Sequence, residues 1–200
     1  CFINKMDKMG ADFDYAFGTI DERLAAPAVM VQYPIGKADT FEGVVDLITM
    51  KAYYFDQADK GTTITEKDIP EDLQAKCESL REVMIERAAE MDDALTEKFL
   101  EEGTLTNEEI KKALRIGTLA RKIHPTFCGS ALQNIGVQKV LDGIIDYLPN
   151  PTEVPDTEGT DPDDADVRLT RPHSEDAPLS LLVFKVVNDA HGDLTYVRIY

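Results

Sequence analysis

The sequence predicts an α/β fold, and three patterns carry that prediction. An apolar stub, Cys1-Phe2-Ile3, leads through a turn into a stretch with apolar residues at Phe13, Ala16, Phe17, Ile20 and Leu24, which is a strand followed by a helix. The same order returns later: Ile123-His124-Pro125-Thr126-Phe127-Cys128 reads as a strand, and Val137, Val140, Leu141, Ile144, Ile145 and Leu148 keep helical spacing. Between these two units, short β-rich runs precede a long helical stripe, so strands and helices share one chain.

The middle elements follow in order. Val29 to Ile35, Phe41 to Ile48 and Lys51 to Phe55 are β-rich runs separated by Gly, Asp and Lys turns, which predicts a small sheet. From Pro70 to Glu102, Leu73, Cys77, Leu80, Met84, Ala88, Met91, Leu95 and Phe99 form one apolar stripe under an acidic outer face, with a bend expected near Asp92-Asp93. Gly103 ends that pattern, and Thr106-Asn107-Glu108-Glu109 is a capping box for a further helix carrying Ile110, Ala113 and Leu114, closing an αα-hairpin. These helices need an apolar surface, and the preceding sheet supplies one. Residues 25–120 are therefore expected to form an α/β insertion between residues 1–24 and 121–150, which together make one domain. Residues 151–177 are rich in Asp, Pro, Thr and Glu with few large apolar residues, and read as a linker that builds no core. Residues 178–200 hold two β-runs joined by Asn188-Asp189-Ala190-His191-Gly192-Asp193, the start of a β-domain.

Charge is concentrated. The net charge is −17; residues 66–109 hold 15 acids against 5 bases and residues 151–177 hold 9 against 2, so the two blocks account for all of it. Acidic surfaces repel phosphate backbones, which argues against direct RNA or DNA contact and leaves a basic protein as the natural partner, or a merely solvated face. No apolar run approaches the ~18 residues of a membrane span. Cys1, Cys77 and Cys128 have no metal-like or redox-like spacing and suit a reducing cytoplasm; His124, His173 and His191 are equally scattered, so no metal site is expected.

The motif with the most chemical content is Asn4-Lys5-Met6-Asp7. An ionised carboxylate offers only acceptors, so Asp7 can receive both N1–H and the 2-amino group of guanine, a donor pair that adenine lacks. Asn4 can reach N7 and tie neighbouring loops together, while the Lys5 stem can lie across the purine face. Downstream, Gly129-Ser130-Ala131 lets backbone approach a ligand, and the Ala131 N–H suits guanine O6; taken alone, this stretch would pass for an ordinary strand-to-helix turn. No G-x-x-x-x-G-K-[ST] stretch is present, so the phosphates and Mg2+ of GTP or GDP are expected to be held by residues outside the chain. With an apolar start, no initiating Met and an end inside a β-pattern, the chain reads as a piece of a longer protein, inactive as a GTPase by itself.

Cys1 to Phe13, Phe41-Glu42-Gly43-Val44-Val45-Asp46-Leu47 and Cys128-Gly129-Ser130-Ala131 together resemble the bacterial elongation factor G family of translational GTPases over essentially the whole chain. The resemblance implies the C-terminal part of a P-loop-type G domain with an α/β insertion, followed by the start of a β-barrel domain near residue 178. It further implies Asn4, Lys5, Asp7, Ser130 and Ala131 around the guanine, and no catalytic or metal-binding residue in this stretch. The implied protein is a cytoplasmic monomer that meets the ribosome, touches its stalk protein through the acidic insertion, and acts on tRNA and mRNA indirectly. A ribosome-protection or recycling factor would share the motifs, and an acidic protein-binding module with no nucleotide role is the alternative from another class. The polar 188–193 connection and the Asp161-Pro162-Asp163-Asp164 run depart from the family pattern.

Overall fold

Strand pairing in two different senses organises residues 1–148. The computed structural model describes residues 1–190 and 192–200; His191, part of the expected connection between the last two β-runs, lies outside the described residues. In chain order the first elements are β1 (Phe2–Ile3), α1 (Phe13–Leu24), β2 (Ala28–Met30), β3 (Gln32–Ile35), β4 (Gly43–Asp46), β5 (Lys51–Phe55) and β6 (Ile64–Lys67). They are followed by α2 (Glu71–Ala89), α3 (Asp93–Glu102), α4 (Asn107–Leu119), β7 (His124–Cys128) and α5 (Val137–Tyr147). A parallel sheet has the order β1-β7-β2, and an antiparallel sheet the order β3-β4-β5-β6.

The single β-rich run Val29 to Ile35 thus serves both sheets. β2 pairs with β7 in parallel, β3 pairs with β4 antiparallel, and Val31 stands at the division. Its N–H donates to the Thr126 carbonyl at 3.1 Å and its carbonyl accepts from the Leu47 N–H at 3.0 Å. A β-rich run does not show which strands it will pair with, so the sequence showed a strand there but not the change of sheet. β6 was not anticipated. Its four residues, Ile-Thr-Glu-Lys, are exposed on the edge of the sheet, where charged side chains discourage pairing with another chain.

The helices cover one face of the antiparallel sheet. Cys77, Met84 and Ala88 of α2 and Ile110, Ala113 and Leu114 of α4 pack in one buried cluster with Val45, Leu47 and Ala52. The expected bend near Asp92-Asp93 is a full break, because the Asp92 side chain accepts the Leu95 N–H at 3.1 Å and starts α3 afresh. Thr106 and Glu109 form the predicted reciprocal cap of α4. Arg81 locks the layers together: its guanidinium donates to the carbonyls of Leu47 and Ile48 and to Asn107 Oδ1. On α5 the buried residues are Gly143 and Tyr147, while Leu141, Ile144 and Ile145 of the predicted stripe are exposed.

Residues 149–200 form a second compact unit. The acidic stretch 151–177, expected as a linker, contains a hairpin of β8 (Thr157–Thr160) and β9 (Arg168–Arg171), although none of its residues is buried. The aspartates explain the turn. Asp161 Oδ1 accepts the Asp163 N–H at 2.9 Å and Asp164 Oδ1 accepts the Asp166 N–H at 3.0 Å, so the acidic run supplies its own turn acceptors. β10 (Leu181–Asp189) and β11 (Gly192–Ile199) pair antiparallel up to Asp189 and Gly192, leaving a connection shorter than the six residues expected.

Candidate functional site

Two loops more than 120 residues apart in sequence meet because of strand register. β1 and β7 are adjacent and parallel, with Phe2 opposite Phe127 and Ile3 opposite Cys128, so both chains leave the sheet at the same edge. Carboxyl ends of neighbouring parallel strands are where open α/β sheets build ligand sites. The Asn4–Asp7 loop follows β1, and the Gly129–Ala131 loop follows β7.

Reciprocal hydrogen bonds stitch the loops together. Asn4 Oδ1 accepts the Ala131 N–H at 2.9 Å and the Lys5 N–H at 2.7 Å. The Met6 N–H donates to the Gly129 carbonyl at 3.1 Å, and the Gly129 N–H donates to the Ile3 carbonyl at 3.1 Å. Lys5 adopts a left-handed backbone, φ 66°, a conformation that costs a non-glycine residue about 1–2 kcal/mol and here turns the chain sharply between Asn4 and Met6. Gly129 is required by close approach, since a Cβ there would collide with the Ile135 carbonyl and the Phe2 ring.

The five residues singled out by sequence fall into two groups. Asn4, Lys5 and Ala131 are exposed and Asp7 is partly exposed, whereas Ser130 is only 1% exposed. Its hydroxyl donates to Asp7 Oδ1 at 2.7 Å, so Ser130 acts on the site through Asp7. The Ala131 N–H, matched by sequence reasoning to guanine O6, is engaged by Asn4 here. Lys8 is the residue that reasoning passed over: its ammonium lies 2.9 Å from Asp7 Oδ2, and the signal for it was adjacency to the carboxylate. The Ser130 hydrogen bond, followed by the Lys8 ammonium, holds the Asp7 carboxyl below the usual carboxylate range.

Asp7 is therefore an ionised acceptor at neutral pH, fixed through one oxygen by a buried hydroxyl. A carboxylate has about four acceptor positions, and Ser130 and Lys8 occupy two of them, which leaves capacity for a pair of N–H donors. Lys8 itself is largely exposed. Among the described residues no group of three or more His, Cys, Asp or Glu is arranged to hold a metal ion, and no helix is long and apolar enough to cross a membrane. Cys77 and Cys128 are buried thiols; burial pushes Cys77 up to about 11 and raises Cys128 further, which makes both packing residues.

Comparison with known proteins gives the same picture from a separate direction. Residues 1–150 match the family described as the elongation factor Tu GTP binding domain. Elongation factor G 1 of Bdellovibrio bacteriovorus is 48% identical over 201 residues, a match that covers 100% of this chain and 29% of that protein. A crystal structure of a Thermus thermophilus protein superposes with a TM-score of 0.73 at 26% identity, covering 99% of this chain and 26% of that one. The chain thus spans under a third of the length of that relative. Its mixed α/β, G-domain-like fold, its paired loops at the carboxyl ends of β1 and β7 and its match over residues 1–150 agree: this chain belongs to the elongation factor Tu GTP-binding domain family.

Proposed function

We propose that this chain is the guanine-reading part of a ribosome-dependent translational GTPase of the elongation factor G type, which couples GTP hydrolysis to movement of tRNA and mRNA. The observation that carries the proposal is the Ser130–Asp7 hydrogen bond, which fixes an ionised carboxylate at the junction of two hydrogen-bonded loops. In this reading Asp7 accepts guanine N1–H and the 2-amino group, the Lys5 stem covers one face of the base, and Asn4 and Ala131 serve N7 and O6. The Ala131 N–H exchanges its bond to Asn4 for one to the base. Phosphates and Mg2+ are held by residues outside these 200, since no phosphate loop occurs in the sequence. The domain assignment goes with it: residues 1–24 and 121–150 belong to the nucleotide domain, 25–120 are its insertion, 151–177 a linker, and 178–200 the start of a β-barrel.

The acidic insertion supports a protein partner at the ribosome, the stalk protein. Glu78, Glu82, Glu86 and Glu90 recur every fourth residue along α2 and its C-cap, all exposed, and among the described residues none of them forms a salt bridge. Like charges at this spacing weaken a helix by about 0.2–0.5 kcal/mol per pair, so the stripe opposes stability and is suited to attracting a basic surface. The protein is taken to be a cytoplasmic monomer. The experiment is a nucleotide panel on the full-length protein: GDP should bind far more tightly than ADP, with inosine diphosphate between them, and equal affinities for GDP and ADP would sink the guanine reading.

A further inference from the structure

The antiparallel sheet has a second buried face, and it lies against the backs of both base-reading loops. Phe41, Val44, Tyr53 and Phe55 form a cluster there with Met6, Phe13, Cys128 and Ile135. Met6, 2% exposed, sits between Lys5 and Asp7, so the first loop is anchored in this cluster by its own central residue. Cys128 precedes Gly129, and Ile135 is tied to Ser130 by two backbone hydrogen bonds, Ser130 N–H to Ile135 carbonyl at 2.9 Å and the reverse at 3.0 Å. The second loop is anchored in the same cluster from both of its ends.

Two polar braces reinforce these apolar anchors, one per loop. The Ala38 N–H, in the turn between β3 and β4, donates to the Met6 carbonyl at 2.9 Å. Gln138, in the first turn of α5, donates through Nε2 to the Gly61 carbonyl at 2.6 Å, from the loop between β5 and β6. Gly61 has φ +75°, and a Cβ there would stand 2.5 Å from the Asn134 carbonyl, so this loop is seated directly on the segment that follows Ala131. Gln138 Oε1 is buried with no hydrogen-bond partner. A buried unmet acceptor is unfavourable, so what the amide supplies here that a methionine of similar shape would not is the Nε2 bond to the Gly61 carbonyl.

From this arrangement we infer that Gln138 and the β5–β6 loop are positioning elements for base recognition, holding the Ser130–Asp7 pair in its guanine-accepting geometry from behind the site. The inference rests on the guanine reading proposed above and adds residues that do not touch the base. A loop held before binding loses less freedom on binding, and release of the hold should appear mainly in the dissociation rate. It should also appear in selectivity, because the 2-amino group of guanine is rewarded only while Asp7 is correctly aimed.

The test is Gln138→Met in the full-length protein, measuring dissociation of GDP and of inosine diphosphate, which lacks the 2-amino group, together with the melting temperature. The expected result is GDP release faster by about 3–10-fold, a smaller GDP-to-inosine diphosphate preference, and a melting temperature little changed, because loss of the Gly61 bond and removal of the unmet Oε1 offset each other. Gln138→Lys, which again offers an N–H to the Gly61 carbonyl, should bring both values back toward the parent. A parent that prefers guanine, with Gln138→Met leaving rate and preference unchanged, overturns the brace alone. A lower melting temperature with the preference unchanged also overturns it, as general loosening. A parent with no guanine preference overturns the underlying guanine reading instead.

Discussion

Asp7 and the glutamates of α2 carry the same charge and are held in opposite ways. The Asp7 carboxylate is fixed by the buried Ser130 hydroxyl at 2.7 Å and the Lys8 ammonium at 2.9 Å, at the junction of two loops tied by backbone hydrogen bonds. Glu78, Glu82, Glu86 and Glu90 are exposed along one line of α2 and its C-cap; Glu78 accepts a hydrogen bond from Gln74 Nε2 at 2.7 Å, and none of the four forms an ion pair among the described residues. A fixed carboxylate acts by geometry at hydrogen-bond range, one donor pair at a time. A row without ion pairs acts by its field, over roughly a Debye length of 8–10 Å, and is blunted by salt. The lesson is that acidity has to be read by what holds each group. The aspartates of residues 151–177 add a third case, in which the acid caps the turn of its own hairpin.

This contrast can be broken at several points. The largest effect is expected at Asp7: Asp7→Ala in the full-length protein should cost about 2–4 kcal/mol of guanine nucleotide affinity, from the lost charged acceptor and the unmet donors on the base. Isothermal titration with GDP at two salt concentrations should give nearly the same loss in both, as suits a short-range contact. Next in size, changing Glu78, Glu82, Glu86, Glu90 and Glu97 to Lys should slow association with purified ribosomal stalk protein by about ten-fold at low salt and much less at high salt. Guanine affinity should be unaffected. Stopped-flow association that is equally fast for both proteins at low salt would return the stripe to a solvated helix face.

The smallest effect is expected at Glu109, an acid of the insertion that, unlike the glutamates of α2, is held by an ion pair. The Lys98 ammonium at 2.7 Å, then the Thr106 backbone and hydroxyl, bring its carboxyl down to about 2 from an ordinary 4.5. Because the folded value lies below the unfolded one, the group favours folding above about pH 4.5, and that contribution disappears as pH falls toward 2. Glu109→Gln should therefore flatten the acid-unfolding curve in this window and leave guanine binding alone. An unaltered curve would show that the capping box of α4 carries no pH dependence.

Much of this was readable in the residues, and the exceptions have physical causes. The strand–helix units at both ends, the Gly103 stop and the Thr106–Glu109 cap were visible because apolar period and capping chemistry are local. Asn4 and Asp7 were proposed for the site through side-chain hydrogen-bond valence, Lys5 through its aliphatic stem and Ala131 through its backbone N–H, while Ser130 came only with the family resemblance. What stayed hidden depends on distant partners. Val31 belongs to two sheets only through Thr126 and Leu47. Ser130 is beneath Asp7 and buried because β1 and β7 are in register, which no pattern within either loop shows. Leu141, Ile144 and Ile145 have the spacing of a buried stripe and are exposed on α5, since periodicity says which side chains share a face but not whether anything covers it.

The central claim is that Asp7 reads guanine, and its most direct test is to change what that carboxylate can accept. Asp7→Asn, made in the full-length protein, replaces one acceptor oxygen with an N–H donor, which clashes with the guanine 2-amino group and matches the 2-oxo group of xanthine. Affinities for GTP and xanthosine triphosphate should be measured side by side for the parent and the variant. The account predicts that the parent favours GTP and that the variant shifts toward xanthosine triphosphate; a ratio that does not move would remove Asp7 from base recognition and contradict the account.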